Sequence, residues 1–214
     1  MHPEWEYTLF DNADNEKFVS EYFPKLLDFY KSLQYDIQRA DAIRYMYLYI
    51  TGGFYCDLDT KFIKPLDPLC EKGSLIIARN QLGYGDAPSN WFMASVKNHQ
   101  FWKICLEEMK RPVPFYIFGK HNVVMYTTGS FMLKRALKRY RGRVHLLDRH
   151  FLSKDLQKRE RYTENTFIEP LEGQSWIAWD TWFYQCFFKS RHFIMLVVLM
   201  VLYLNFHKVF NIKT

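Results

Sequence analysis

Two carboxylates, Asp57 and Asp59, close a short apolar run, Gly53-Phe54-Tyr55-Cys56-Asp57-Leu58-Asp59. In a strand, alternation sends Phe54, Cys56 and Leu58 to one face and Tyr55, Asp57 and Asp59 to the other. The carboxylates then share a face, with Cα atoms roughly 6.5–7 Å apart. Anions held this close repel each other unless a cation sits nearby, and a divalent metal ion that also bridges to a phosphate would satisfy them.

The elements that must position this pair lie just upstream. Arg39 to Ile50 has a helical pattern in which Ile43, Tyr47 and Ile50 form one stripe and Asp41, Arg44, Tyr45 and Leu48 another. Asp41 and Arg44 are neighbours on that surface. As an exposed pair they would contribute only ~0.3–0.5 kcal/mol, too little to explain their place beside two carboxylates. Gly52 is expected to end the helix in the left-handed C′ position, and Gly53 to turn the chain into the strand.

Around this centre the pattern alternates helix and strand. Residues 3 to 10 read as a strand closed by a turn over Asp11 to Asn15, followed by a helix from Glu16 with a break at Pro24. After Asp59 comes an extended, proline-punctuated segment, then strands over Ser74–Arg79 and Trp91–Ser95 joined by a turn-rich loop over Asn80–Asn90. Helices are expected over His99–Lys110 and Phe131–Tyr140, the latter capped by Thr128 or Ser130, with an irregular aromatic stretch over Arg111–Asn122 between them. Val144–Leu147 and Phe167–Pro170 read as strands, and the charged run Lys154–Arg161 between them as a solvated surface.

The 214 residues suffice for one α/β domain with a sizeable core, and 49% hydrophobic with 19% aromatic residues excludes a disordered chain. The net charge of +6 would favour an anionic membrane surface or a phosphorylated ligand. Lys134-Arg135 and Lys138-Arg139 fit the exposed side of one helix better than a nucleic-acid surface, and no nucleic-acid partner is expected. The four cysteines form no CxxC pair, which argues against a zinc site; Cys56 reads as a small apolar residue on the buried face of its strand. The polar opening Met1-His2-Pro3-Glu4-Trp5-Glu6-Tyr7 lacks an apolar h-region and is not expected to act as a signal peptide. Phe193 to Leu204 is apolar or Tyr throughout and extends weakly to Phe210, near the ~20 residues a spanning helix needs. Apolar on all sides, it is either buried in a larger core or enters a bilayer, and the bilayer is the expectation here. The domain reading is therefore 1–188 catalytic and 189–214 a hydrophobic tail.

The Asp-x-Asp pair admits two enzyme chemistries. The carboxylates hold a cation on a nucleotide-sugar diphosphate, or Asp57 is the nucleophile and Asp59 the general acid of a haloacid-dehalogenase-like phosphatase. The phosphatase needs further acidic elements downstream to complete its metal site, and no Asp-Asp pair follows Asp59. It also gives Asp41 and Arg44 no role. A non-catalytic membrane homologue is the third possibility.

The register Arg39-x-Asp41-x-x-Arg44-Tyr45-x-x-Leu48-x-x-x-Gly52-Gly53-x-Tyr55-x-Asp57-x-Asp59 closely resembles the DXD sugar-binding region of family 32 glycosyltransferases. That family includes fungal α-mannosyltransferases that act on glycans and on inositol phosphorylceramide. Softer likenesses lie in His2-Pro3-Glu4-Trp5, Asn90-Trp91-Phe92-Met93-Ala94-Ser95, Thr128-Gly129-Ser130 and Gly173-Gln174-Ser175-Trp176. The resemblance implies a GT-A fold, a Rossmann-like and mostly parallel sheet between helices, with the donor at the carboxyl ends of the strands. It implies that Asp41 and Arg44 bind the donor sugar's hydroxyls. Asp57 would contact the sugar or ribose and share the metal, Asp59 would ligate Mn²⁺ or Mg²⁺, and Ser175 and Trp176 would close the site. Asn90 is a weaker candidate. The implied reaction is retaining transfer of a hexose, with GDP-mannose the expected donor and a glycolipid such as inositol phosphorylceramide, or a glycan, the acceptor. The implied setting is membrane-associated, in the Golgi or secretory pathway of a eukaryote. The family places a strand–helix unit before the segment matched by His2–Trp5, so the chain is expected to lack that first unit, most simply as a truncation.

Overall fold

The computed structural model describes residues 2–79, 87–147, 151, 166–171 and 179–181. The chain begins not with a strand but with irregular backbone up to Phe10, and the Asp11–Asn15 segment read as a turn opens a helix instead, α1 (Asn12–Tyr22). Asp11 and Asp14 cap it reciprocally: Asp14 N–H donates to Asp11 Oδ1 at 2.9 Å and Asp11 N–H donates to Asp14 Oδ2 at 3.1 Å. Turn-forming residues are also cap-forming residues, and here the cap prevailed. Pro24 breaks the helix as expected. A 3₁₀ turn (Pro24–Leu26) and α2 (Leu27–Ser32) follow, then α3 (Asp36–Ile50), β1 (Gly53–Cys56), β2 (Thr60–Phe62) and the short α4 (Asp67–Cys70). β3 (Leu75–Arg79), β4 (Pro88–Ser95), α5 (Gln100–Glu108), α6 (Lys120–Thr127), α7 (Ser130–Arg139), β5 (His145–Leu147) and β6 (Ile168–Pro170) complete the described elements. α6 was not foreseen in the aromatic stretch before it.

The larger sheet has the order β1-β4-β3-β5. β1 and β3 both run antiparallel to β4, while β5 is parallel to β3. The fold is thus mixed α/β with a mixed sheet, and among the described strands antiparallel pairing outweighs the parallel pairing the resemblance implied. β2 and β6 form a separate antiparallel pair.

Both faces of the larger sheet are buried, which is why β3 reads Leu-Ile-Ile-Ala without alternation. Leu75, Ile77, Met93 and Tyr55 face a core built with Ala42, Tyr45 and Met46 of α3, Phe101 and Trp102 of α5, and Met132, Leu133 and Ala136 of α7. On the other face Ile76, Ala78, Phe92 and Ala94 pack with Leu66, Leu69 and Ile168, and with the half-buried Phe54, Cys56 and Phe62. The expected split of Phe54 and Cys56 from Tyr55 is therefore present. Leu58 departs from it: regular pairing ends at Cys56, the chain bends over residues 58–59, and Leu58 is 78% exposed.

α3 ends as its sequence requires. Gly52 N–H donates to the Leu48 carbonyl at 3.1 Å, and Gly52 sits at φ +69°. An added Cβ there would lie 2.6 Å from the Lys97 nitrogen and 3.0 Å from the Ser95 oxygen, so the site demands glycine for both conformation and space.

Lys134, Lys138 and Arg139 are exposed on α7. Arg135 and Arg139 bond the buried Glu108 of α5 at 3.1 and 2.7 Å, which ties the two helices together. The α7 cap differs from expectation: Gly129 is the N-cap without a side-chain bond, and Thr128 bonds elsewhere.

The chain divides into two compact units, one comprising residues 1–118 and 122–174 and the other 119–121 and 175–214. In the second, the buried Asp180 accepts a bond from the His121 N–H at 2.7 Å. Residues 80–86 of the loop, the whole 154–161 run, Ser175, Trp176 and the 193–210 tail lie outside the described residues. Among those described, no helix is long and apolar enough to cross a membrane.

Candidate active site

Arg44 is the hub. Its side chain is 5% exposed and reaches from α3 to the end of β1. Nη1 donates to Asp57 Oδ1 at 2.8 Å and to the Asn90 carbonyl at 2.9 Å, and Nε donates to the Ala40 carbonyl at 3.1 Å. Nη2 lies 3.2 Å from Asp41 Oδ1, and the guanidinium stacks 4.7 Å from the centre of the Tyr55 ring. One cation therefore joins Asp41 of the helix to Asp57 beyond the strand.

Asp41 is anchored from three sides. Besides Arg44, Asn90 Nδ2 donates to Oδ1 at 2.8 Å and the Thr128 hydroxyl donates to Oδ2 at 2.9 Å. Asn90 Nδ2 also reaches the Tyr45 oxygen at 3.0 Å, and the Tyr45 hydroxyl donates to the Thr128 carbonyl at 2.6 Å. Helix α3, strand β4 and the start of α7 thus meet on one buried carboxylate. Burial raises the Asp41 carboxyl above its ordinary value and Asp57 adds to this, against the opposing Arg44 charge and the bonds from Thr128 and Asn90. For Arg44 burial disfavours the charge, but Tyr55, Asp57 and Asp41 outweigh it and hold the guanidinium charged.

Asp57 is oriented by a second donor, the Tyr55 hydroxyl at 2.9 Å. This is the same-face, i to i+2 relation that strand alternation gives. Asp59 stands apart from the Arg44 network. Its backbone oxygen accepts from the Leu171 N–H at 2.6 Å, and its partly buried side chain has its carboxyl raised by burial and by the charge of Asp57. Next to it, Thr60 Oγ1 is buried with no hydrogen-bond partner among the described residues. Burial, and after it the charge of Asp57, pushes the Cys56 thiol up to about 11, which disfavours its thiolate.

The structure thus brings Asp41, Arg44 and Asp57 into contact, adds Asn90, and sets Asp59 two residues beyond Asp57. Asp41 and Arg44, weighed in sequence as an exposed pair, are buried at 4%. Thr128, Tyr45 and Tyr55 carry no assigned site role in the sequence reading, where Thr128 stands as a helix cap and in the Thr128-Gly129-Ser130 likeness and the two tyrosines only in the family register.

The donor set fits a hard divalent cation. Asp57 and Asp59 offer oxygen ligands, and their mutual repulsion is only partly offset by Arg44. Among the described residues no group of three or more His, Cys, Asp or Glu side chains gathers as a self-contained metal centre. Two carboxylates with the remaining positions left to water and substrate phosphate is the arrangement expected for Mg²⁺ or Mn²⁺.

A buried Asp–Arg pair thus leads into the Asp-x-Asp at the strand end. Residues 1–76 match the family model described as the glycosyltransferase sugar-binding region containing DXD motif, and the chain carries that region. Asp41, Arg44, Asp57 and Asp59 fall inside it, while Asn90, Thr128, Ser175 and Trp176 lie beyond it. More particularly, the chain is 30% identical to inositol phosphoceramide mannosyltransferase 3 of Schizosaccharomyces pombe over 93% of its own length and 54% of that protein's. It is 34% identical to mannosyl phosphorylinositol ceramide synthase SUR1 of Saccharomyces cerevisiae over 66% of its length and 36% of that protein's. To the related synthase CSH1 of the same yeast it is 29% identical, over 84% and 46%. The resemblance to the DXD region of family 32 glycosyltransferases is thereby shown. The chain spans about half the length of the curated relatives it matches.

Proposed function

We propose that this protein is a metal-dependent, retaining glycosyltransferase of GT-A type that moves mannose from GDP-mannose to an inositol phosphorylceramide-type glycolipid in the secretory pathway, the Golgi being the expected compartment. The observation that supports it most is the Arg44 bridge between Asp41 and Asp57, which leaves Asp59 free of that network and short of positive charge. The mannose and the acceptor follow the names of the relatives, and GDP-mannose is the donor that the family resemblance implies.

In this reading Asp57 and Asp59 hold Mn²⁺ or Mg²⁺. The ion, when bound, supplies charge that offsets what accumulates on the departing nucleoside diphosphate. Arg44 and Tyr55 fix the rotamer of Asp57, so a ligand oxygen is pre-set rather than ordered on binding. Asp41 and Arg44 are assigned to the donor sugar's hydroxyls; with side chains 6% and 5% exposed they offer only an edge, which suits selection of a hydroxyl configuration. The bonds from Asn90 and Thr128 favour the ionised form of Asp41 against the cost of burial and aim its oxygens. Ser175 and Trp176 are assigned to closing over the diphosphate. Residues 1–188 form the catalytic domain and 189–214 a membrane-seeking tail.

The test is transfer and donor hydrolysis by the full chain with GDP-mannose, UDP-glucose and UDP-galactose, with Mn²⁺ or with a chelator. The expected result is metal-dependent turnover of GDP-mannose that Asp59→Ala abolishes. Phosphate release from a simple phosphomonoester, lost in Asp57→Asn, would instead establish the phosphatase chemistry.

A further inference from the structure

Between α5 and α6 the segment 111–119 carries the least economical surface among the described residues. Ile117 N–H donates to the Pro114 carbonyl at 2.9 Å, closing a turn whose two corners are Phe115 and Tyr116. Their rings stand edge to face, 5.6 Å apart at 81°. Phe115 is 97% exposed, Phe118 70% and Tyr116 63%, with Val113 also exposed. Turn corners ordinarily take Gly, Asn, Asp or Ser, and nothing in this hydrogen bonding calls for aromatic rings. Large apolar side chains gathered at a projecting tip mark an interaction surface rather than a folding need.

The surroundings say what kind. Lys110 and Arg111, both exposed, lead into the turn, Arg111 with its Nε paired to Glu108 at 2.9 Å and its side chain still half exposed, and the chain as a whole carries a charge of +6. A convex tip would need a pocket prepared for it in any protein partner. A bilayer accepts any projecting ring, places Tyr at the headgroup level, and draws adjacent cations to its anionic lipids.

We propose that the 113–118 turn is a membrane-surface anchor, with Phe115 and Phe118 entering the acyl boundary of an anionic bilayer, Tyr116 at its interface, and Lys110 and Arg111 on lipid phosphates. The proposal does not involve the transfer reaction, and its test reads no turnover.

A photoreactive benzoylphenylalanine replaces Phe115 in the full chain, and in a control replaces Tyr22, an exposed ring of α1. Each protein is irradiated with phosphatidylcholine vesicles that contain or lack phosphatidylserine, and adducts are read by mass spectrometry. The expected yield of lipid adduct at position 115 is roughly tenfold that at 22, and it falls several-fold when phosphatidylserine is omitted. With the probe at Tyr116, the double substitution Phe115→Ser and Phe118→Ser should lower its lipid adducts by roughly tenfold. Equal yields at 115 and 22, attachment of the 115 probe to this chain's own peptides or to another protein instead of lipid, or undiminished adducts in the double variant would each overturn the proposal.

Discussion

Removing the Arg44 side chain is the sharpest probe of the site, because it separates a buried charge network from a surface ion pair. Arg44→Ala takes from Asp41 its cation and leaves the carboxylate buried with two neutral donors, Asn90 and Thr128. It also strips a donor from Asp57 Oδ1 and from the Asn90 and Ala40 carbonyls. Breaking a buried pair from one side costs about 3–5 kcal/mol, against about 0.5 kcal/mol for an exposed i,i+3 pair. With a urea slope of about 2–3 kcal/mol per molar, the unfolding midpoint should fall by roughly 1–2.5 M. The double variant Arg44→Ala with Asp41→Asn should recover about 1–3 kcal/mol, since the uncompensated anion is gone. The pH dependence has a definite sign. Asp41 has a raised folded-state carboxyl, so the fold favours its protonated form, which contributes stability below the unfolded-state pKa and loses it as pH rises through the folded one. Without Arg44 that carboxyl rises further, and the deficit of the variant should shrink between pH 7 and pH 5. A loss below about 1 kcal/mol at pH 7, or a deficit independent of pH, would refute the reading of Arg44 as the charge that keeps Asp41 ionised.

Three further outcomes follow from geometry. Gly52→Ala must hold φ +69° with a Cβ 2.6 Å from backbone and should cost about 3 kcal/mol or more, whereas Gly53→Ala, at φ +87° with open space around it, should cost about 1–2 kcal/mol; thermal unfolding of both distinguishes steric from conformational strain. Asp59→Asn should leave stability at pH 7 unchanged or higher while ending metal-dependent turnover, because the folded state already favours the neutral form of Asp59; a marked stability loss in urea would show that its charge is structural. Burial raises the Glu108 carboxyl, but hydrogen bonds from Arg139 and Arg135 and the charges of Arg111 and Arg135 more than offset it and leave it lowered, so its contribution is present above the unfolded-state pKa and lost as pH falls through the folded one. Glu108→Gln should therefore cost about 1–3 kcal/mol at pH 7 and flatten the acid limb of the stability profile.

What the sequence made legible is what one element determines by itself. The helix stop at Gly52, the break at Pro24 and the split of Tyr55 from Phe54 and Cys56 are local matters of backbone and period, and all three stand in the structure. What it hid depends on elements far apart in the chain. Thr128 is 87 residues from Asp41, and its TTGS context suits a helix cap just as well as a carboxylate donor. Leu58 obeys strand alternation on paper, but the chain bends once ladder pairing with β4 ends, and the side chain swings out. Asp11 and Asp14 misled because a capping box and a turn draw on the same residues. The burial of Asp41 and Arg44 was invisible for a related reason. A charged pair at i,i+3 on a helix reads as surface until the strand laid across it is known.

The two acids of the Asp-x-Asp pair are electrically unlike. Asp57 shares Oδ1 with Arg44 and Tyr55, while Asp59 feels Asp57 as a repelling neighbour and Arg44 only as a weaker, more distant relief. Counted together with Asp41, and among the described residues, three carboxylates face one guanidinium, so with all three ionised the set is short of two positive charges, and a divalent cation restores balance. The deficit bears on the order of binding. A nucleoside diphosphate approaching the metal-free site meets net repulsion, partly screened by water and salt, whereas with the cation in place it meets a ligand-hungry metal. Donor affinity measured by calorimetry should therefore rise by about tenfold or more on adding Mn²⁺, and Asp59→Asn should bind the donor better than the intact protein when no metal is present while gaining little from Mn²⁺. If the intact protein held the donor equally well in a chelator, the negative charge read from these residues would not be what recruits the metal, and Arg44 would have to be the group that meets the diphosphate.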